Sequence, residues 1–279
     1  MAEQGLPPLA REIAAAKINL ALHVRGRLPD GRHRLETLFA FCVDGDRLEA
    51  GFQAGVDGMS LAIDGPFANA LDGLNLVERA WQLMRDRVGT AGDGHTSFKL
   101  TKNLPVASGI GGGSADAAAA LRLMTSLWRV DPAHASTVAP QLGADVPACL
   151  LSLTARGDAA GDQLRPIDAP NVSGLPILLI NPRVPLSTAA VFAAWDGQDH
   201  GPLSEDWRAG RNDLQAPAMT LIPAIGGVLE WLRKQPDVTL ARMSGSGATC
   251  FGLFANEISR DQAAAGCPRE WWHLVTTLR

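Results

Sequence analysis

The 279-residue chain contains no tyrosine. Any aromatic contact to a ligand must therefore come from phenylalanine, tryptophan or histidine, or be replaced by a guanidinium plane. Long apolar runs are also missing: none approaches the roughly 20 residues needed to span a bilayer. No run of like charges stands out and the formal net charge is −4, which excludes a basic nucleic-acid stripe and a polybasic membrane patch. An anionic ligand must then be held by local groups, not by a global field. The four cysteines, Cys42, Cys149, Cys250 and Cys267, form no C-x-x-C pair. Three lie in apolar stretches, so buried, reduced thiols are expected instead of a disulfide framework or a zinc site. Met1 to Leu9 has neither a basic n-region nor an apolar h-region. No secretory signal is expected, and a cytoplasmic location follows.

What is present is ordinary globular material. Hydrophobic residues make up 46% and charged residues 19%, a balance that argues against disorder. Strands are expected over 12–24, 35–41, 47–52 and 59–63, with a turn at Pro29-Asp30-Gly31. Asn75 suits the N-cap of a helix over 76–87, with Leu76, Ala80, Leu83 and Met84 on one face. A strand over 96–101 leads through a loop into a helix over 114–128, whose alanine run Ala117–Ala120 permits close packing. Asp131-Pro132 opens a shorter helix that ends before Gly143. Further on, 176–180 reads as a buried strand, 187–195 as a helix, and 221–234 as a helix interrupted at Gly226-Gly227. Strands over 239–243 and 249–254 flank the small-residue turn Ser244–Gly247. The class is α+β. The Gly-, Asp- and Pro-rich stretch Gly157–Gly174 is the best boundary, giving two lobes, 1–157 and 158–279.

The densest signal is the loop Pro105-Val106-Ala107-Ser108-Gly109-Ile110-Gly111-Gly112-Gly113-Ser114-Ala115. Glycine permits positive φ and lets amide groups approach a ligand closely. A helix start leaves N–H donors unpaired and carries positive partial charge. Together these make a phosphate site. It is not a Walker loop, because no lysine stands by the last glycine. A dinucleotide fingerprint is disfavoured by Lys102, Asn103 and Pro105, which separate the glycines from the preceding strand. Ser114 could cap the helix, or reach a phosphate oxygen or a metal. Asp116, in the first turn, has two readings: it faces the site through a cation, or it points to solvent. Lys102 could face the nucleotide, but it reads first as a solvated charge before the loop.

Seven segments in order along the chain resemble the GHMP kinase superfamily: Ala14–Leu20 (AAAKINL) with His23, Asp30–His33 with Leu38-Phe39, Leu104–Ala118, Leu142–Pro147 (LGADVP), Ser187–Phe192 (STAAVF), Asn212–Leu214, and Met243–Cys250 (MSGSGATC). The resemblance implies a two-lobed fold with the active site between the lobes. It also implies phosphoryl transfer from ATP, with Mg²⁺, to the 2-hydroxyl of a cytidylyl-methylerythritol acceptor. Lys17 and Asp145 match the family's catalytic pair. Asn19, Arg32, His33, Thr188 and Phe192 match its acceptor site, with Phe192 on one face of the cytosine and His33 on its edge. Gly245 and Ser246 match a turn that supports the reacting end. One departure is clear: the family commonly has a stacking tyrosine where this chain has Arg32. A guanidinium can also stack on a base. No metal ligand is assigned; Ser114 is the first candidate, with Asp116 behind it. The expected partners are the acceptor and ATP, with the protein a monomer or weak homodimer.

From the residues alone, an aspartate within reach of a hydroxyl can orient it and accept its proton. An apolar-strand lysine can stabilise charge on the attacking oxygen or the transferred phosphoryl. Asp145 also suits a helix cap or turn, and Lys17 also suits pairing with an acid. A mevalonate-type or homoserine kinase is the nearest rival reading. A nucleotide-binding regulator without catalysis is the rival from another class.

Overall fold

The computed structural model describes residues 9–71, 73, 75–169 and 171–279. The expected absence of a signal over Met1 to Leu9 thus falls almost wholly outside the described residues.

Two long strands open the chain. β1 (Ala10–Arg27) is buried without a break from Ala14 to Val24, as its apolar run requires. β2 (His33–Ala54) joins the two shorter strands that the sequence suggested. Val43-Asp44-Gly45-Asp46 has the composition of a turn but stays extended. The reason is distant in sequence: Asp46 Oδ1 accepts from the amides of Asn103 (2.5 Å) and Leu104 (2.8 Å).

By compactness the chain divides into two units. One comprises the segment ending at Ala14, Gly45–Val106 and Gly112–Leu150; the other comprises Ala15–Asp44, Ala107–Gly111 and Leu151–Arg279. The sequence suggested one boundary at 157. The division is interleaved because β1 and β2 each contribute residues to both units, which local composition does not reveal.

In the first unit, β3 (Gly58–Asp64) runs parallel to the strand that will be β4, and α1 (Leu76–Val88) lies between them in the chain. Asn75 caps α1 by accepting from Val77 N, and Glu78 accepts from Asn75 N in return. Such a box is worth about 1 kcal/mol. Val77, Ala80 and Met84 form the buried face. β4 (Gly94–Thr101) pairs parallel with β3 and antiparallel with residues 47–54 of β2. α2 (Gly112–Leu127) begins two residues earlier than expected. Ala117–Ala120 are fully buried, and the missing bulk lets α2 pack against α1 and α3 (Pro132–Leu142). Asp131 caps α3 through Ala133 N, with Pro132 at the first helical position. α4 (Val146–Leu151) closes the unit.

In the second unit, β5 (Ala155–Asp158) and β6 (Gln163–Pro166) form a hairpin that pairs with Thr37–Phe39 of β2. The stretch read as a boundary thus carries sheet. Gly157 is confined there, since a Cβ would lie 2.7 Å from the Phe39 ring. β7 (Pro176–Asn181) is buried throughout, and α5 (Thr188–Ala193) follows, capped by Ser187. A helix the sequence did not suggest, α6 (Gln215–Leu221), comes next and stops at Ile222-Pro223, because proline cannot continue it. The helix expected over 221–234 is α7 (Ala224–Arg233), which begins after Pro223 and runs unbroken through Gly226-Gly227 instead of being interrupted there. β8 (Val238–Met243), β9 (Cys250–Phe254), α8 (Glu257–Ala265) and β10 (Trp272–Thr277) complete an antiparallel sheet in the order β10-β7-β9-β8. Ile180, Val228, Leu229, Leu232 and Phe254 are among its core. Cys42 and Cys250 are buried free thiols, Cys267 is half-buried and free, and Cys149 is buried. Among the described residues no helix is long and apolar enough to cross a membrane.

Candidate active site

The glycine loop leaves β4 and enters α2 at Gly112. Ala107 (φ 50°), Gly109 (φ 78°) and Gly111 (φ 69°) take left-handed backbone. At Gly109 the need for glycine is twofold. Beyond the positive φ, a Cβ would sit 2.6 Å from the Ser244 carbonyl oxygen and 2.7 Å from that of Gly247. The two small-residue turns are therefore in backbone contact. Ser244 Oγ donates to the Gly109 carbonyl at 3.1 Å, and Thr249 N donates to the Ser108 carbonyl at 3.1 Å. Lys17 N donates to the Ile110 carbonyl at 2.9 Å. Three consecutive carbonyls are thus engaged by donors. A loop with its carbonyls occupied in this way could offer its amide hydrogens to an anion, and the first turn of α2 follows it in the chain. Ser114 lies half-buried in that turn.

The second turn is itself pinned. Asn212, which the sequence offered only as part of a matched segment, donates through Nδ2 to the carbonyls of Met243 and Gly245, each at 2.8 Å. Thr188 shares a 2.8 Å hydrogen bond with Ser246. Gly245 also tolerates no side chain, because a Cβ would stand 2.9 Å from the Gly109 oxygen.

Lys17 is buried on β1. Its ammonium donates to Asn19 Oδ1 at 2.8 Å and lies 5.5 Å from the centre of the Phe39 ring. Asn19 cannot flip without loss: its Nδ2 donates to Thr37 Oγ1 at 2.8 Å, and Thr37 donates in turn to the Ala21 carbonyl at 2.7 Å. Asn19 N donates to Ser244 Oγ at 3.1 Å. Expected as an acceptor contact, Asn19 therefore also orients Lys17. Asp145 is half-buried immediately before α4, and its carbonyl accepts from Cys149 N at 3.0 Å. Lys17 belongs to the second unit and Asp145 to the first.

The structure brings His33 and Phe192 together. Their rings stack with centroids 4.5 Å apart and planes 27° apart. Trp195, to which the sequence gave no role, meets His33 edge-on at 5.6 Å and 83°. Burial lowers the pKa of His33, and the Arg27 charge adds to the effect. Arg32 is exposed, and its guanidinium pairs with Asp30 (2.8 Å) and Asp162 (3.1 Å).

Two expectations fail. Lys102 is not solvated; it is buried and bonds to the carboxylates of Asp46 and, at 2.7 Å, Asp116. Asp116 faces neither solvent nor a cation in the phosphate loop, because its Oδ2 accepts from this lysine. A Cβ on Gly112 would come within 3.5 Å of Lys102 Nζ, which places the triad directly beneath the start of α2. Burial pushes the Asp116 carboxyl up to about 8; Lys102 opposes that shift and Asp46 reinforces it. Sequence could not show this, because Asp46 sits 56 residues from Lys102. Among the described residues no group of three or more His, Cys, Asp or Glu side chains is placed to hold a metal ion.

Comparison with known proteins gives a consistent result. Residues 75–152 match the model of the GHMP kinases N terminal domain, and residues 194–273 that of GHMP kinases C terminal. The chain is 51% identical to the 4-diphosphocytidyl-2-C-methyl-D-erythritol kinase of Rhizorhabdus wittichii, covering 96% of this chain and 94% of the relative. It is 49% identical to that of Novosphingobium aromaticivorans, covering 99% and 95%. A crystal structure of 4-(cytidine 5'-diphospho)-2C-methyl-D-erythritol kinase superposes with a TM-score of 0.83 at 31% identity, covering 96% of this chain and 99% of that one. A homoserine kinase from Cytophaga hutchinsonii shares the fold, with a TM-score of 0.72 at 15% identity over 100% of this chain and 97% of that one.

Proposed function

The chain belongs to the 4-diphosphocytidyl-2-C-methyl-D-erythritol kinase family of GHMP kinases, and we propose that its glycine turn holds the phosphates of ATP while Lys17 and Asp145 carry the transfer. It has the two-lobed α+β GHMP kinase fold. It is a small-molecule kinase that phosphorylates 4-diphosphocytidyl-2-C-methyl-D-erythritol with ATP in the non-mevalonate route to isoprenoid precursors. The phosphoryl group goes to the 2-hydroxyl.

The observation that carries the phosphate assignment is the engagement of the Ser108, Gly109 and Ile110 carbonyls at 2.9–3.1 Å. It turns the donor side of the loop to the ligand. Asp145 accepts the proton of the acceptor hydroxyl as its oxygen bonds to the γ-phosphorus and the bond to ADP breaks. Lys17, held by Asn19, stabilises the charge on the transferred group. Ser114 is the residue that could offer a hydroxyl to Mg²⁺, which would neutralise phosphate charge when bound with ATP. Phe192 and His33 hold the cytosine, and Thr188, fixed on Ser246, lies beside the second turn. We place the protein in the cytoplasm as a monomer or weak homodimer.

Phosphorus NMR of the product tests the regiochemistry. The new phosphate is expected to couple to no acceptor proton, because the carbon bearing the 2-hydroxyl is fully substituted. Coupling to a neighbouring CH would place the phosphate elsewhere and overturn this reading.

A further inference from the structure

The reading above leaves the cytosine with one aromatic face, Phe192, because Arg32 stands where a tyrosine is expected and is tied to Asp30 and Asp162. The aromatic group around Phe192 contains a second anomaly. Two of its ring nitrogens, His33 Nε2 and Trp195 Nε1, are buried and have no hydrogen-bond partner. Other tryptophans of the chain also have orphaned indole nitrogens. Among the described residues, only here do two orphans fall on rings in mutual contact, beside the aromatic residue assigned to the substrate. A buried donor without a partner is costly in a folded protein. An indole N–H can only donate, so what it lacks is an acceptor.

The arrangement already shows what kind of group fits. A flat, six-atom-or-smaller nitrogen heterocycle, the His33 imidazole, lies on the Phe192 ring at 4.5 Å and meets the Trp195 ring nearly at right angles. A pyrimidine has the same flatness, a similar width, and acceptors on its edge where imidazole has few.

We propose that Trp195 is a specificity-determining residue of the base site: the pyrimidine stacks on Phe192 where the His33 ring lies in this structure, and the Trp195 indole N–H donates to an acceptor on the base edge. His33 moves aside and offers Nε2 to the same edge, so both orphaned nitrogens gain partners. Because burial lowers its pKa, the imidazole moves as a neutral ring, with no charge to relocate. Trp195 stands just past the Ala194 cap of α5 and packs, partly buried, against the core of its unit, so the indole is a wall of the site, not a mobile tip. The inference rests on the assignment of Phe192 and His33 to the base.

Steady-state kinetics separate the two claims. Trp195→Phe keeps an aromatic ring and removes the pyrrole half of the indole with its N–H donor. It is expected to raise KM for the cytidylyl substrate about five- to tenfold, the loss of one hydrogen bond, with kcat and the KM for ATP within about twofold of wild type. Phe192→Ala tests the underlying assignment and is expected to raise the same KM at least as much. If Phe192→Ala raises KM and Trp195→Phe does not, the role of Trp195 is overturned and the base site stands. If neither raises it, both fall. If Trp195→Phe raises the KM for ATP equally, or lowers Tm by several degrees, the residue is structural and the inference is wrong.

Discussion

Ser244 Oγ donates to the Gly109 carbonyl at 3.1 Å, while a Cβ on Gly109 would lie 2.6 Å from the Ser244 carbonyl oxygen. The two turns thus meet backbone to backbone, and the phosphate loop takes its shape from a segment 135 residues further along the chain. Gly109→Ala should force the turns apart and add the cost of a left-handed non-glycine residue, about 1 kcal/mol. The expected result is at least a tenfold rise in the KM for ATP, measured beside circular dichroism that shows a folded chain. An unchanged KM would separate the loop from nucleotide binding.

Lys17 and Asp145 carry the chemistry in this account. Asp145→Asn removes the proton acceptor at constant size, and kcat should fall about 10²- to 10⁴-fold. Lys17→Ala should abolish turnover, since it removes the charge and leaves Asn19 Oδ1 without its donor. Both variants should keep the wild-type circular dichroism spectrum. Near-wild-type kinetics in either would remove that residue from the mechanism.

The buried triad makes a pH prediction. Asp116 has a folded pKa of about 8 against an ordinary value of 3.8. Between those values the folded chain binds a proton that the unfolded chain has released. The stability contributed by that proton is fully present below about pH 4 and is lost as pH rises through about 8. Asp116→Asn cannot ionise, so its Tm relative to wild type should rise steadily between pH 5 and pH 8. A pH-independent difference would show that Asp116 is ionised in the folded protein across this range.

Arg32 yields a fourth expectation. Its guanidinium is exposed and occupied by two aspartates, and exposed ion pairs contribute little. Arg32→Ala should change the KM for the cytidylyl substrate by no more than about threefold. A tenfold rise would mean that Arg32 leaves Asp30 and Asp162 to stack on the base.

Local chemistry was readable from the chain alone. Asn75 caps the helix it was expected to cap, and α3 opens at the expected Asp131-Pro132, because helix starts are decided within a few residues. The buried strands showed as apolar runs, and the glycine turn carried its own conformational signature. What failed was decided at long range. Lys102 looked solvated because its carboxylates come from Asp46 and from the far side of the glycine loop. The strands expected over 35–41 and 47–52 looked separate because the amides that hold Asp46 extended belong to Asn103 and Leu104. Trp195 went unnoticed because a tryptophan near a helix end is ordinary until its unpartnered nitrogen is seen beside His33.

The central claim is tested most directly by a coupled ADP-release assay with 4-diphosphocytidyl-2-C-methyl-D-erythritol, mevalonate and homoserine offered separately with ATP and Mg²⁺. The account expects ADP release with the cytidylyl acceptor alone, and its loss in Asp145→Asn. Release with mevalonate or homoserine at a comparable rate, or release that needs no acceptor, would contradict it.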